Sequence, residues 1–569
     1  MTARPTPSPR LDALDTPGDA DARGRRRSDA RRPGALAAAL TVVALSATAC
    51  SIGTTTGIPP VATVSPGNGA QSGQSGAPQV DGTIAGFYGQ QPDWQTCSAD
   101  EITTTGQDAP RDLSAYQCAT LVAPLDWDDP AGATITLRIG RHLAGANSKG
   151  ALFYNLGGPG GASVNALSSM VTSNFGDDLV AGYDLVGMDP RGVGASTPIV
   201  CMTDQERDEY NAGEADTDDA DLAPDQIVAH ADEVVAKFGQ GCLDHSGDLT
   251  AHVDTVSAAK DFDMARAVLG EDAFTYFGYS YGTFLGATYA DLFPDRVGRM
   301  VLDGALDPAM DVNQVSDLQM RGFEAALTHW IEDCQAGSGC PLTGSTDDGV
   351  AAMKSFLDGL ADAPLPTQDP DRPLTQSLAL TAVIGMLYST QTYSALTQAM
   401  QQALGSSDGS ILLYLADFLN DRNDDGTYAS NGTDALMAVN ALDYEPVGTV
   451  DDWAADAAQL QADLPILGDF AGYSSAGLGA WPVDRHAHRG PIAATGAPTI
   501  VVVGTTHDPA TPYVMAQNLA GELDDAVLVT WDGWSHTAYS KSGSVCVAKA
   551  VEGYLLDGTV PQDGLTCTD

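Results

Sequence analysis

Thr275-Tyr276-Phe277-Gly278-Tyr279-Ser280-Tyr281-Gly282-Thr283-Phe284 is the stretch on which the reading of the fold depends. Residues 275–279 are β-branched and aromatic, a composition that predicts a strand. A G-x-S-x-G pattern follows at once, and 283–292 then predicts a helix. A chain that passes from strand to helix through one residue turns sharply. A side chain at either flanking position would strike the neighbouring strand or helix, which is the steric reason for the two glycines. In a chain holding 61 glycines the pattern alone is weak; its place between a strand and a helix is what makes Ser280 a candidate nucleophile.

Working outward, further short apolar runs predict strands at 134–143, 151–156, 183–188, 300–302, 499–503 and 526–530. Between them, 255–269 sets Val256, Ala259, Phe262, Ala265 and Val268 on one helical face, the pattern of an amphipathic crossover. Alternating strands and helices predict a mostly parallel, doubly wound α/β sheet. The rhythm breaks from about 308 to 480, where 315–334, 374–386 and 393–404 read as helices with no clear strand, and it resumes at 499. The expected division is a leader at 1–50, a flexible linker at 51–85, a core split between 86–308 and 481–569, and a helical cap at 309–480 inserted between its halves.

A serine hydroxyl is a poor nucleophile near neutral pH. A histidine must take its proton, and a carboxylate must fix the tautomer of that histidine. In the α/β-hydrolase arrangement the chain order is serine, acid, histidine. His536, in the loop after the last predicted strand, is the candidate base, and His507 is its rival. Asp508, four residues beyond Gly504 at the same sheet edge, is the candidate acid, with Asp303 after the 300–302 strand as the competitor. The glycine run 157–161 follows the 151–156 strand. It places the Gly158 amide, together with that of Tyr281, as candidate donors to an oxyanion.

The amino terminus carries Arg23, Arg25, Arg26, Arg27, Arg31 and Arg32 ahead of the uncharged run 35–49, the layout of an export signal. The run is shorter than a bilayer-spanning helix. It ends in Ala47-Thr48-Ala49-Cys50, which resembles the lipobox of bacterial lipoproteins and makes Cys50 a candidate lipidation site. The next segment is rich in Ser, Gly, Thr and Pro and nearly free of charge, as in a flexible tether. A sequence with 75 acidic and 27 basic residues, net charge −48, argues against nucleic acid or an anionic membrane surface as a partner. Membrane contact is expected only through Cys50. Setting Cys50 aside leaves eight of the nine cysteines, and export permits their pairing, with sequential neighbours favoured. No phosphate loop, metal-ligand cluster or dinucleotide fingerprint is present, so neither metal nor cofactor is expected.

The glycine run 157–161, the segment Asp189-Pro190-Arg191-Gly192-Val193-Gly194-Ala195-Ser196, the 278–282 pattern and the Asp508 and His536 loops, in that order, resemble the tripeptidyl aminopeptidases of actinobacteria, relatives of the proline iminopeptidases. Further matching segments are 122–130, 302–308, Gly322-Phe323 with Cys334 and Cys340-Pro341-Leu342, and Trp481-Pro482, so the resemblance spans roughly 90–567. It implies an exported serine hydrolase that releases short peptides, tripeptides among them, from free amino termini through an acyl-enzyme. A cap carboxylate would hold the substrate ammonium, with Asp443, Glu445 and Glu324 as candidates. A cysteine usual in the family is replaced by Ala441, so the cap has diverged. The same triad would serve an esterase, a lipase-like enzyme or an endopeptidase. A noncatalytic binding lipoprotein is the reading from another class.

Overall fold

A computed structural model describes residues 77–104, 109–213, 222–485 and 489–569. Ten strands form one sheet: β1 Gln95–Thr96, β2 Tyr116–Pro124, β3 Thr134–His142, β4 Ala151–Asn155, β5 Asp184–Met188, β6 Phe274–Tyr279, β7 Val297–Asp303, β8 Ile500–Thr505, β9 Ala526–Trp531 and β10 Leu565–Cys567. Their order is β1-β2-β3-β5-β4-β6-β7-β8-β9-β10. The ladder is antiparallel from β1 through β3 to β5 and parallel from there to β10. β2 was not expected from the sequence because nearly every residue in it is buried, so it shows no alternation.

The α-helices of eight residues or more among the described residues are α1 Asp204–Asn211, α2 Pro224–Ser246, α3 Thr255–Val268, α4 Tyr281–Leu292, α5 Val312–Ala336, α6 Thr346–Asp362, α7 Gln376–Met386, α8 Tyr393–Ser406, α9 Ser410–Leu419, α10 Gly432–Asp443, α11 Val450–Asp463, α12 Tyr513–Glu522 and α13 Val545–Asp557. None of the helices among the described residues is long and apolar enough to cross a membrane. Helices α5 to α11 all lie between β7 and β8, so the parallel sheet is interrupted in sequence but continuous in space.

Most of this insertion closes on a core of its own, built from Leu327, Trp330, Met353, Val383, Met400 and Leu412 with their neighbours. Helix α7 is apolar on every side and sits at the centre of that core. Helix α10 behaves otherwise. Its Ala435, Ala438, Val439 and Leu442 join the core of the sheet domain, so the expected 309–480 cap includes one helix that packs as part of the body.

The end of the expected linker also differs. Ala77 and Val80 pack against the body, and a short helix, Ile84–Tyr88, buries Phe87 there. Ordered packing therefore begins before residue 85, because these three apolar side chains gain more from burial than the backbone loses in freedom. Cys50 and the leader lie outside the described residues.

Four disulfides join Cys97 to Cys118, Cys201 to Cys242, Cys334 to Cys340 and Cys546 to Cys567, each pair sequential neighbours as expected. The Asp189-Pro190-Arg191 motif is a structural tie. Arg191 is fully buried, paired with Asp261 at 2.7 Å and bonded to the carbonyls of Leu125 and His252. Asp189 accepts the amides of Val164 and Ala195, fixing the far end of the glycine loop to the strand behind it.

Candidate active site

Strand β6 delivers Ser280 and α4 leaves it, with Ser280 itself at φ 54°, ψ −125°, a conformation rarely adopted by a residue with a side chain. Two crossings hold it there. The Ser280 amide donates to the Asp303 carbonyl, and the Ser280 carbonyl accepts from the Thr283 amide and hydroxyl. A Cβ on Gly278 would come within 2.3 Å of the Gly282 carbonyl, and one on Gly282 within 2.8 Å of the Asn155 carbonyl. The sequence pattern thus reflects close approach at both positions.

The loop after β8 carries Asp508, 2 % exposed. Its Oδ1 accepts the amides of Ala510 and Thr511, and its Oδ2 accepts the Thr511 hydroxyl and the Thr537 amide. Both oxygens face His536 Nδ1, at 2.9 and 3.0 Å. A carboxylate in this position requires the proton on Nδ1, which leaves Nε2 as the basic nitrogen. The His536 backbone is held from the insertion, since its amide donates to the Tyr388 carbonyl and its ring meets that of Tyr388 edge-on at 5.3 Å. Tyr388 was not found from the sequence; it follows an apolar helix with no motif around it.

The two rivals have other partners. His507 stacks on Trp534 at 4.0 Å, and His329 of α5 covers the opposite face of the same indole at 4.0 Å, so the His507 ring is committed to a sandwich rather than to Asp508. Asp303 is fully buried and accepts the Ala538 and Tyr539 amides, anchoring the chain just beyond His536.

The glycine loop lies on the elbow. Gly157 has φ +91°, and a Cβ there would fall 2.5 Å from the Tyr279 carbonyl and 3.0 Å from the Tyr281 nitrogen. The Tyr281 amide opens α4 and so has no helical carbonyl one turn before it to satisfy it. Gly157→Ala is expected to push the loop off the elbow and lower kcat by about 100-fold, the typical loss of one oxyanion donor. Turnover by a correctly folded variant at near the wild-type rate would exclude a role for this loop.

The three cap carboxylates do not converge. Glu324 is buried and accepts the Ile466 and Leu467 amides, a tie within the insertion. Asp443 is buried and accepts the Thr255 amide at 3.0 Å and the Thr255 hydroxyl at 2.5 Å, so both of its oxygens are spoken for and it is corrected from a substrate contact to an internal one. Glu445 is exposed in a separate groove with Trp481 and Arg485. A cavity of about 490 Å³ lies instead between the insertion and the loops after β4 and β5. Asp100, Asp204, Asp421, Asn165, Asn431 and Arg207 are in its wall. The loop that touches the elbow at Gly157 reaches this wall at Ala162 and Val164.

Burial pushes the carboxyls of Asp189 and Asp303 up to about 6, and those of Asp421 and Asp443 up to about 7. In the unfolded chain such groups ionise near 3.8, so from about pH 4 to about pH 7 the folded state binds more protons and stability falls as pH rises. The melting temperature is expected to be higher at about pH 5 than at about pH 8. A rise over that interval would mean that these acids are ionised in the folded protein.

The family described as TAP-like proteins matches residues 465–567, the segment that carries Asp508 and His536. Serine protease Hip1 of Mycobacterium tuberculosis is 37% identical over 462 residues, covering 79% of this chain and 87% of that protein. Carboxylesterase B of the same species is 38% identical over 499 residues, covering 87% and 93%. The tripeptidyl aminopeptidase of Streptomyces coelicolor is 31% identical over 499 residues, covering 84% and 85%.

Proposed function

This chain belongs to the TAP-like family of α/β-hydrolase serine hydrolases that includes Hip1 and the tripeptidyl aminopeptidases, and from that premise we propose that it is an exported peptidase releasing short peptides, tripeptides first, from free amino termini. The observation that carries this reading is the Asp508 carboxylate on His536 Nδ1, at the same sheet edge as a serine held at positive φ.

In this reading His536 Nε2 takes the hydroxyl proton as Ser280 Oγ bonds to the scissile carbonyl carbon. The oxygen becomes an oxyanion facing the Gly158 and Tyr281 amides. Asp508 stabilises the imidazolium, which then hands its proton to the leaving amine as the C–N bond breaks. Water, deprotonated by the same nitrogen, hydrolyses the acyl-enzyme and restores Ser280.

The helical insertion acts as the cap. None of Ser280, Asp508 and His536 lines the cavity described above; Asp421 in its wall, one oxygen of which accepts the Ser430 hydroxyl, is the carboxylate to be tested as partner of the substrate ammonium. Four disulfides fit an oxidising compartment and so support export, with Cys50 as the anchor. The Carboxylesterase B relative favours a second reading, an esterase of the same triad.

The deciding assay compares free-amino and amino-blocked di- and tripeptide p-nitroanilides with short acyl esters, using wild type, Ser280→Ala and Asp421→Asn. Preference for free-amino tripeptides, lost in Ser280→Ala and weakened through KM in Asp421→Asn, supports the aminopeptidase. Equal turnover of blocked peptides, or better turnover of esters, discards it.

A further inference from the structure

Helix α10 meets the machinery proposed for the oxyanion at both of its ends. At its start, the carbonyl of Gly432 lies where a Cβ on Gly160 would come within 2.7 Å, so the helix abuts the glycine loop. Asn431, just before it, donates to the Gly192 and Ile199 carbonyls and accepts the Gly194 amide, which fixes that end to the body. At its finish stands Asp443, bonded to Thr255 at the first turn of α3. The Thr255 hydroxyl is in turn bonded to the Tyr281 hydroxyl.

Asp443, Thr255 and Tyr281 are all buried, 2 %, 1 % and 5 % exposed, among the apolar side chains of the body. Above about pH 7, where the Asp443 carboxyl is ionised, the donors run one way: Tyr281 O–H to Thr255 Oγ, then Thr255 O–H and N–H to the two carboxylate oxygens. Among the described residues each hydroxyl donates to the next member of the chain, and an unpaired hydroxyl at such a depth is costly. Tyr281 is the residue after the nucleophile, so its backbone amide is one of the two proposed donors. Such a donor loses effect when displaced by more than roughly 0.5 Å.

We propose that Asp443 and Thr255 are positioning residues for the oxyanion donors, acting through the Tyr281 phenol, and that α10 braces the two donor segments from its opposite ends. The proposal rests on the reading of Ser280 and Tyr281 given above. It gives the insertion a part in the chemistry as well as in covering the site, and it explains a buried carboxylate that does not face substrate.

The test uses the full protein and the variants Tyr281→Phe, Thr255→Val, Thr255→Ser, Asp443→Asn and the double variant Tyr281→Phe/Asp443→Asn. Three quantities are read: kcat and KM for a free-amino tripeptide p-nitroanilide, affinity for a tripeptide aldehyde, whose adduct with Ser280 carries the oxygen to be stabilised, and affinity for the product tripeptide. Tyr281→Phe is expected to lower kcat and aldehyde affinity together by about tenfold, part of the loss of a whole donor, with KM and product affinity within about twofold. Thr255→Val should match it and Thr255→Ser should restore it. The double variant should be no worse than Tyr281→Phe alone, because one chain is broken in either case.

A folded Tyr281→Phe with wild-type kcat and aldehyde affinity overturns the proposal, as does a loss confined to KM. Should Asp443→Asn fail to fold, the Tyr281 and Thr255 variants decide. Activity surviving in Ser280→Ala would instead remove the reading beneath it.

Discussion

Ser280→Ala is expected to lower kcat by about a million-fold on peptides and esters alike while leaving the fold intact, because a nucleophile removed from a working triad takes nearly all covalent catalysis with it. The comparison that gives this test its force is Ser280→Gly. Both variants lack the hydroxyl, but only glycine tolerates φ 54° without strain. A residue with a Cβ in such a conformation costs on the order of 1 kcal/mol or more. Ser280→Gly should therefore be equally inactive and melt at a higher temperature than Ser280→Ala. Equal melting temperatures would show that the elbow is relaxed, and measurable turnover by either would place the nucleophile elsewhere.

The second large effect separates the two buried carboxylates. Asp508→Asn should cost about ten-thousandfold in kcat, since an amide cannot hold His536 in the tautomer that leaves Nε2 basic. Asp303→Asn removes a carboxylate that accepts the Ala538 and Tyr539 amides, and one amide oxygen still accepts from them. Its loss should be within about tenfold, with a lowered melting temperature as the main change. Steady-state kcat on one tripeptide substrate, measured beside thermal unfolding, reads both. The reverse pattern, a dead Asp303 variant and an active Asp508 one, would move the acid from the β8 loop to β7.

What the sequence disclosed and what it withheld follow from the range of the interactions. The elbow was legible because its sterics are local: Gly278, Ser280 and Gly282 are shaped by one another and by the strand directly behind. Asp508 was legible by position, at the end of an apolar run, although His507 beside it could be set aside only once Trp534 and His329 were seen to enclose it.

The fate of the cap carboxylates was not legible, because it depends on partners far along the chain. Asp443 meets Thr255 across 188 residues, and Glu324 meets Leu467 across 143. A carboxylate near a predicted site looks the same in sequence whether it faces solvent, substrate or a buried amide. Helix α10 was hidden for the same reason. Its apolar face could be inferred, but which of two cores would receive it could not, and so the cap boundary came out too simple.

The pairing of the cysteines bears on how this protein is made. Each half-cystine bonds to the next one along the chain, with separations of 21, 41, 6 and 21 residues, and no bridge encloses another. A polypeptide threaded across a membrane amino end first would present its thiols in that same order. An oxidant that joined each newly arrived thiol to the one waiting would reach the native set without reshuffling. Under the export proposed above, maturation of this chain should then demand a donor of oxidising equivalents outside the cell but little help from a disulfide isomerase.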